Sequence, residues 1–187
     1  MMSKRLLDVY DTICLTLAAN DDQIRGRTTI QKLIYFELEK IPEIHIEPHI
    51  AYFYGPFNRQ VAQGLETLVH LDVLDEKRLQ NGDSSYQYTI TKKGIPVIKN
   101  LIEENKQTYE KIEKIVQTCF DYCKLNPNPL SFAAKVHYML SKRECQKGMT
   151  EDEAIQMAKS FGWKITEKDV KLGAELLEKL KLVKIRR

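Results

Sequence analysis

The amino-acid sequence predicts a mainly helical α+β protein, in which a winged helix-turn-helix domain with a small β-hairpin wing precedes a C-terminal helical bundle. One observation is the order of elements: three amphipathic helical patterns are followed by two short β-like segments joined by a turn, as in a winged helix. Another is a Pro-rich break at residues 126–129 with three further helical patterns after it. We therefore predict a winged helix-turn-helix domain over residues 1–105, a connecting helix over 106–125 and a three-helix unit over 126–187.

Length and composition are typical of a water-soluble globular protein. The 187 residues are 43% hydrophobic and 29% charged, which provides enough apolar surface to bury a core. No run of residues approaches the length of a membrane span, and the N-terminal segment reaches Asp8 before any apolar stretch could act as a signal peptide. We therefore expect a cytoplasmic protein without a membrane partner.

The first two helices are predicted from apolar residues at three- and four-residue spacing. Ser3 can cap a helix over residues 4–19, and the Asn-Asp-Asp that follows breaks it. Thr28 or Thr29 can open the second helix, which ends near Pro42. Each helix would bury one face against its neighbours.

After the second helix the sequence changes from a helical pattern to a strand-like one. Residues 49–54 are β-branched and aromatic, which predicts a short strand, and the Gly55-Pro56 pair predicts its end. Asn58 can then cap a third helix that runs to His70. The aromatic side chains near this turn are predicted to be core and turn residues that cover the junction, in preference to a binding role. They are Tyr35, Phe36, Tyr52 and Tyr54.

Two short segments and a turn predict the wing. Residues 73–76 are strand-like, residues 81–83 (Asn-Gly-Asp) supply a turn, and residues 86–90 alternate their faces as the partner strand would. Thr91 can cap a fourth helix that completes the domain. The three preceding helices and this hairpin together predict the winged-helix arrangement.

The predicted third helix and wing carry side chains that can contact DNA. In a winged helix, the third helix normally enters the major groove, and the wing contacts the backbone or the minor groove. Glu66 lies among the exposed polar residues and would repel phosphate, and the net charge of +3 permits DNA binding without arguing for it. The cations suffice for weak binding by a monomer, and a dimer would double the contacts. The candidate DNA-binding residues are Arg59, Gln60, Gln63, Thr67, His70, Lys77, Arg78, Lys92 and Lys93.

The connecting helix carries apolar residues at alternating spacings of three and four. Such a seam can pair with a second copy as a short coiled coil, which would make a homodimer, or it can pack against the same chain. Two heptads are short for a coiled coil, which favours packing within the chain. The candidate seam residues are Tyr109, Ile112, Val116, Cys119 and Cys123.

Three helical patterns follow the break. The middle pattern opens with Thr150 and has Glu153 three residues later, which is the pattern of a capping box. After the last pattern, residues 182–185 are strand-like. The three helical patterns cover residues 130–142, 150–161 and 166–180.

The sequence contains no pattern of an enzyme or cofactor site. Its eight glycines are scattered singly, so no phosphate-cradling loop is present, and neither a nucleophile elbow nor a helical zinc-protease pair occurs. Four cysteines are too few and too scattered for a disulfide framework, and Cys119 with Cys123 have no further metal ligands nearby. His45 and His49 could hold a metal from an extended chain, but two loop histidines are the simpler interpretation. We expect no catalytic residues, no metal and no cofactor.

Three segments resemble a known group of prokaryotic proteins. They are residues 26–36 (GRTTIQKLIYF), 54–58 (YGPFN) and 88–94 (YTITKKG). In this order and separation they resemble the YwgA-type winged-helix proteins and the wider SocA-like (Panacea) antitoxin-domain group, over about residues 5–105. The resemblance implies a winged-helix fold without catalytic residues, and either neutralisation of a toxin by direct contact or a regulatory role.

Two functions are compatible with this sequence. The first is a DNA-binding transcriptional regulator that reads double-stranded DNA with the predicted third helix, as the order of elements and the wing cations favour. The second is a protein-interaction module, antitoxin-like or an adaptor, that uses the same scaffold without nucleic acid. Glu66 on the candidate face and the modest basicity favour this second function. The sequence leaves both open.

Overall fold

The protein is mainly helical with a small antiparallel sheet. A computed structural model describes residues 5–79, 85–143 and 148–184, and within these ranges the chain forms eight helices and five short strands. None of the helices in these ranges is both long and apolar enough to cross a bilayer. In chain order the elements are α1 (Val9–Ala18), β1 (Gln23–Arg25), α2 (Arg27–Lys40), β2 (Ile50–Tyr52), β3 (Gly55–Phe57), α3 (Arg59–His70), β4 (Leu74–Arg78), β5 (Tyr86–Ile90), α4 (Gly94–Glu104), α5 (Lys106–Cys123), α6 (Pro127–Ser141), α7 (Glu151–Ser160) and α8 (Glu167–Lys179).

The strands form two separate antiparallel sheets. A three-stranded sheet has the order β1-β5-β4, and β2 and β3 form a two-stranded hairpin. Ile24 of β1 lies opposite Tyr88 of β5, and Tyr88 lies opposite Glu76 of β4. The predicted pairing of the two wing strands is therefore confirmed, and β1 adds a third strand that the sequence did not predict. The predicted turn at residues 81–83 lies outside the described residues.

The helix predicted to be the third, α3, packs against α1, α2 and β4. Val61, Leu65 and Leu68 are buried on its inner face. Asn58 caps the helix as its sequence indicates, because the side-chain Oδ1 accepts a hydrogen bond from the Val61 backbone N–H at 3.2 Å. The β4–β5 ribbon therefore lies beside a cluster of three helices.

The first helix begins later than predicted. It starts at Val9 instead of residue 4, because the Asp8 carboxylate accepts a hydrogen bond from a first-turn backbone N–H and caps the helix there. Leu7 is extended and forms a parallel bridge with Ile44. The predicted cap, Ser3, lies outside the described residues.

Two other helices begin within a few residues of their predicted starts. α2 begins at Arg27, just before the predicted Thr28 or Thr29, and its N-cap is Gly26 with φ +90°. α4 begins at Gly94, and the predicted cap Thr91 still contributes, since its Oγ1 accepts a hydrogen bond from the Gly94 N–H at 3.0 Å.

The strand predicted over residues 49–54 is one arm of a hairpin, which corrects the sequence interpretation. β2 ends at Tyr52, the chain turns at Phe53 and Tyr54, and Pro56 lies in β3 opposite Ala51. Proline is tolerated at this position because the hairpin is only two strands wide and offers edge positions that need no N–H donor.

The predicted dimer seam is a core seam of the same chain. Ile112, Val116 and Cys119 are fully buried, and Tyr109 and Cys123 are half-buried. α5 packs against α1, α2, α6 and α8, so the side chains at the centre of the seam have no surface left for a second copy. Of the two uses that the sequence left open, packing within the chain is the one that the structure shows.

The C-terminal helices pack on the N-terminal elements. Pro127 occupies the first turn of α6, where its missing N–H costs nothing, so the Pro-rich break begins a helix. α6 contacts α2, β3 and α8, and buried side chains from both halves form one apolar cluster. The Thr150–Glu153 capping box is confirmed at α7. In the described part of the predicted terminal strand, residues 182–184, no strand forms.

Candidate interaction surface

The outer face of α3 presents most of the predicted DNA-contacting residues. Arg59, Gln63, Glu66 and His70 are exposed there, whereas Thr67 is half-buried. The half-buried Gln60 has a structural role as well, because its Oε1 accepts a hydrogen bond from the backbone N–H of residue 47 at 3.0 Å. The face therefore combines the cationic Arg59 and the titratable His70 with the Glu66 carboxylate.

The predicted cations of the wing lie on two other elements. Lys77 and Arg78 are exposed on β4, and Lys92 and Lys93 are exposed just before α4. The Nζ of Lys93 donates to the Leu71 carbonyl at 3.3 Å, which brings this lysine to the C-terminal end of α3. Among the contacts of the described residues, Lys93 is therefore the cation of these four that reaches α3.

One further cation of this region is neutralised within the chain. Arg27 Nη2 lies 2.8 Å from Glu76 Oε2, its Nε donates to the Tyr88 hydroxyl at 2.6 Å, and the guanidinium lies over the Tyr86 ring. Burial opposes the ionised form of Glu76, but hydrogen bonds from Tyr88 and Arg27 outweigh it and lower the pKa of this carboxyl. Arg27 therefore ties the start of α2 to the sheet, and sequence analysis did not single it out.

The β2–β3 hairpin exposes large apolar side chains. Its two tyrosines are predicted to be core or turn residues, and the structure places Tyr54 in the turn and neither of them in the core. Phe53 is 77% exposed and Tyr54 is 70% exposed. Ile50 is more than half exposed, and Tyr52 is half exposed. Tyr35 and Phe36, the other two aromatic residues of that prediction, are buried on α2 as expected. A signal for exposure was present in the sequence: residues directly before Gly-Pro occupy the apex of a tight turn, where a core cannot cover them.

The backbone of the hairpin is held close to its turn, so its exposed side chains have a fixed support. The Trp163 Nε1–H donates to the Tyr52 carbonyl at 2.6 Å, and the Lys32 Nζ donates to the Pro56 carbonyl at 2.6 Å. The Tyr52 ring packs on Phe57, with centroids 5.0 Å apart. Contacts from α2 and from the segment before α8 therefore orient the hairpin that carries the aromatic tip.

A cavity of about 260 Å³ lies between α2, the hairpin and α3. Its walls are mostly apolar, and they include Tyr52, Tyr54, Phe57 and Leu65. Lys32, one of the buried polar residues of α2, also lines it and is 2% exposed. Burial, together with the neighbouring Lys135 charge, lowers the pKa of Lys32 to about 7. The sequence offered no sign of this lysine's position, because burial of a lysine depends on distant elements.

A second buried polar group lies close to Lys32. The Tyr35 hydroxyl and His137 Nδ1 are 2.8 Å apart, and the His49 ring meets Tyr35 edge-on at 5.2 Å. Neither ring nitrogen of His49 has a hydrogen-bond partner among the described residues. Burial, reinforced by the Lys32 charge, lowers the pKa of His49 to about 3. This imidazole is therefore neutral at neutral pH.

The two histidines considered as metal ligands lie in different surroundings. His45 is exposed, whereas His49 is buried. Within the described ranges, no group of three or more His, Cys, Asp or Glu side chains is arranged to hold a metal ion.

No protein-family model matches the chain, and a comparison with curated proteins finds no significant match.

Proposed function

We propose that the chain is a protein-interaction module built on a winged helix-turn-helix scaffold, and that it contacts the apolar surface of a partner protein through the β2–β3 hairpin. The observation that carries this proposal is the exposure of Phe53 and Tyr54 at the tip, flanked by Tyr52 and Ile50. Contiguous exposed apolar side chains mark interaction sites in soluble proteins. Aromatic residues are also enriched at the centres of protein–protein interfaces.

The order of elements supports the scaffold part of the proposal. β1 lies between α1 and α2, and β4 and β5 follow α3. The strands β1, β4 and β5 form one antiparallel sheet. A helical cluster with a strand–turn–strand ribbon beside its third helix is the arrangement of winged helices. The β2–β3 hairpin is then an insertion between the second and third helices.

The fixed backbone of the hairpin supports a binding role for its tip. Hydrogen bonds from Trp163 and Lys32 hold the backbone of both hairpin arms. A surface that is ordered before binding loses less conformational entropy when a partner docks. The exposed aromatic side chains would therefore bury apolar area against a partner at a small ordering cost.

A capture experiment with matched variants tests this proposal. The tagged full-length protein is expressed in its native cell, and proteins that co-purify in stoichiometric amounts are identified. We expect Phe53→Ser with Tyr54→Ser to lose the partner, because both side chains supply the apolar contact. The control is Leu6→Ser with Val97→Ser, which removes two comparably exposed apolar side chains elsewhere. Retention of the partner by the hairpin variant, or its loss from both variants, contradicts the proposal.

DNA binding is a second candidate function, favoured by the exposed side chains of α3 and β4. Arg59 and Gln63 are exposed on α3, and Lys77 and Arg78 are exposed on β4. Arginine and glutamine side chains can hydrogen-bond base edges, and lysines neutralise phosphates. Glu66 on the same helix opposes phosphate contact, so this candidate ranks second.

Binding to random duplex DNA at low salt tests the second candidate. Arg59→Ala, Lys77→Ala and Arg78→Ala together should abolish most of the binding, because each removes a cation from the predicted contact surface. A matched triple variant, Lys99→Ala, Lys106→Ala and Lys168→Ala, removes the same charge from other exposed positions. DNA binding is excluded if the wild-type protein does not bind, and equal losses in both triple variants would exclude α3 and β4 as the contact surface.

A further inference from the structure

We propose that the cavity between α2, the hairpin and α3 binds a small apolar carboxylate, with the buried Lys32 ammonium as its counter-ion. This inference does not depend on a partner protein, because it concerns the cavity behind the hairpin and not the exposed tip. The site would take a ligand with one ring or a branched aliphatic chain and a single carboxylate. The size of the cavity, its walls and its charge all favour such a ligand.

The size of the cavity favours a small ligand. At about 260 Å³ it lies just below the ~300–1,000 Å³ range of pockets for drug-sized ligands. An apolar cavity of roughly 150 Å³ already accommodates benzene in an engineered protein. The cavity behind the hairpin therefore has room for one aromatic ring and an attached carboxylate.

The walls of the cavity are suited to an apolar group. Phe57 and Tyr52 contribute rings from the hairpin, and Ala62 and Leu65 contribute aliphatic surface from α3. Gly55, which also lines the cavity, has φ +102°, and a Cβ there would come within 3.1 Å of the Lys135 side chain. The backbone at Gly55 therefore comes close to both lysines, and a side chain at this position would displace one of them.

The charge inside the cavity wall favours an anion. The Lys32 Nζ donates one described hydrogen bond, to the Pro56 carbonyl, although an ammonium has three protons to donate. No described ion pair involves Lys32, and its charged neighbour Lys135 repels it. Glu66 also lines the cavity but is exposed to solvent. A ligand carboxylate would supply the missing opposite charge, which is what a buried cation needs.

A phosphate fits these surroundings less well than a carboxylate. A phosphate dianion carries more charge and more acceptor oxygens than one buried lysine can satisfy, and the second cation that lines the cavity, Arg27, is already paired with Glu76. The proposal therefore commits to a monoanionic carboxylate on an apolar frame.

Nuclear magnetic resonance titrations of the full-length protein test the site with defined probes. Sodium benzoate is the carboxylate probe, benzamide is its neutral analogue of the same shape, and inorganic phosphate is an anion without an apolar part. We expect benzoate to shift the backbone amide signals of Thr28, Gly55 and Ala62 saturably. Benzamide should bind about tenfold more weakly or worse, because it lacks the charge that pairs with Lys32, and phosphate should cause no saturable shift.

Variants separate the ion pair from the cavity itself. Lys32→Met keeps the length and apolar stem of the side chain, so it should fold and should weaken benzoate binding by about tenfold or more. Ala62→Leu retains Lys32 but fills the cavity, and it should also abolish binding. Lys164→Met, which changes an exposed lysine, should bind benzoate as the wild type does. Circular dichroism checks that each variant is folded.

The outcomes that overturn the proposal are definite. Equal affinity for benzoate and benzamide, unchanged benzoate affinity in folded Lys32→Met, or no saturable shift in the wild-type protein would each do so. The single change Phe53→Ser distinguishes this site from the proposed protein contact, because Tyr54 lines the cavity and Phe53 is not among its lining residues. It should weaken partner capture and leave benzoate binding unchanged.

Discussion

Glu37 shows how strongly the interior acts on a single side chain. This residue of α2 is fully buried, and its Oε2 lies 2.9 Å from the Thr16 Oγ1. The same Thr16 oxygen lies 2.7 Å from the Thr12 carbonyl, and its single proton cannot serve both acceptors. A protonated Glu37 can therefore donate to Thr16, whereas an ionised one could not. Burial raises the pKa of Glu37 to about 8, so this carboxyl is mostly neutral at neutral pH.

The raised pKa of Glu37 predicts a specific dependence of stability on pH. Between about pH 4.5 and about pH 8 the folded protein holds a proton at Glu37 that the unfolded chain has released. The stability that this group contributes is complete below its unfolded pKa. It falls by about 1.4 kcal/mol per pH unit as the pH rises towards the folded pKa. Glu37→Gln removes this loss. Urea unfolding should therefore show the variant gaining stability relative to the wild type across that window.

The exposed Glu110 provides the control for this prediction. Glu110→Gln makes the same chemical change on the outer face of α5. Its unfolding free energy should follow the wild-type pH dependence within a few tenths of a kcal/mol. A gap between Glu37→Gln and the wild type that stays constant with pH would contradict a protonated Glu37.

At the scale of one element, Asn58 decides how the chain enters α3. Its Oδ1 caps the helix, and its Nδ2 donates to the Glu47 carbonyl at 2.5 Å. Its backbone N–H and carbonyl are paired with the Gln31 side-chain amide at 2.9 Å each. The side chain therefore joins the helix start to the segment before the hairpin, and the residue is buried.

Removal of this cap should destabilise the protein more than removal of an exposed cap. Asn58→Ala deletes the cap and leaves the Glu47 carbonyl without its donor, so we expect a loss of about 2–3 kcal/mol of unfolding free energy. Asn126→Ala removes the exposed cap of α6, where we expect about 1 kcal/mol. Urea denaturation of both variants measures the difference. Equal losses would show that the contact with Glu47 contributes nothing.

The packing of α8 on α6 depends on a residue without a side chain. A Cβ at Gly173 would lie 2.9 Å from the Phe132 carbonyl carbon and 3.0 Å from the Ala133 nitrogen, and these backbone atoms cannot rotate away. Gly173→Ala should therefore destabilise the protein by about 1–2 kcal/mol despite the better helix propensity of alanine. Gly148→Ala is the control, because no atom of the described residues lies within 4 Å of its added Cβ. Thermal unfolding should show a lower midpoint for Gly173→Ala alone.

At the scale of the whole molecule, one apolar cluster connects the two halves of the chain. Buried residues from Leu7 to Leu180 belong to it, and α6 packs against both α2 and α8. The Pro-rich break at residues 126–129 thus marks a bend between α5 and α6 with core on both sides. The sequence-based division into three units stays a prediction, because packing contacts alone do not show which parts fold independently.

The shared core predicts cooperative unfolding. Trp163 is the single tryptophan of the chain and lies in the C-terminal unit, where its ring stacks on Phe161 at 4.9 Å. If the core unfolds as one, urea transitions followed by Trp163 fluorescence and by far-ultraviolet circular dichroism should coincide. Two separated transitions would instead show that residues 126–187 unfold independently of the rest.

Local interactions made several elements predictable from the sequence. α3 from its Asn58 cap to His70, the capping box at Thr150 and the apolar spacing of α5 all depend on residues within four positions of each other. Such patterns act before any distant part of the chain is in place. The sequence therefore determined which segments are helical and which faces of them are apolar.

The tertiary structure decided where those faces go and what remains exposed. β1 is a strand because β5, more than sixty residues away in the chain, pairs with it. The α5 seam is buried because α1, α2, α6 and α8 cover it, and Lys32 lies in a cavity wall because the hairpin folds over α2. Burial and strand pairing are set by partners that are distant in sequence, and no local pattern specifies which partner arrives.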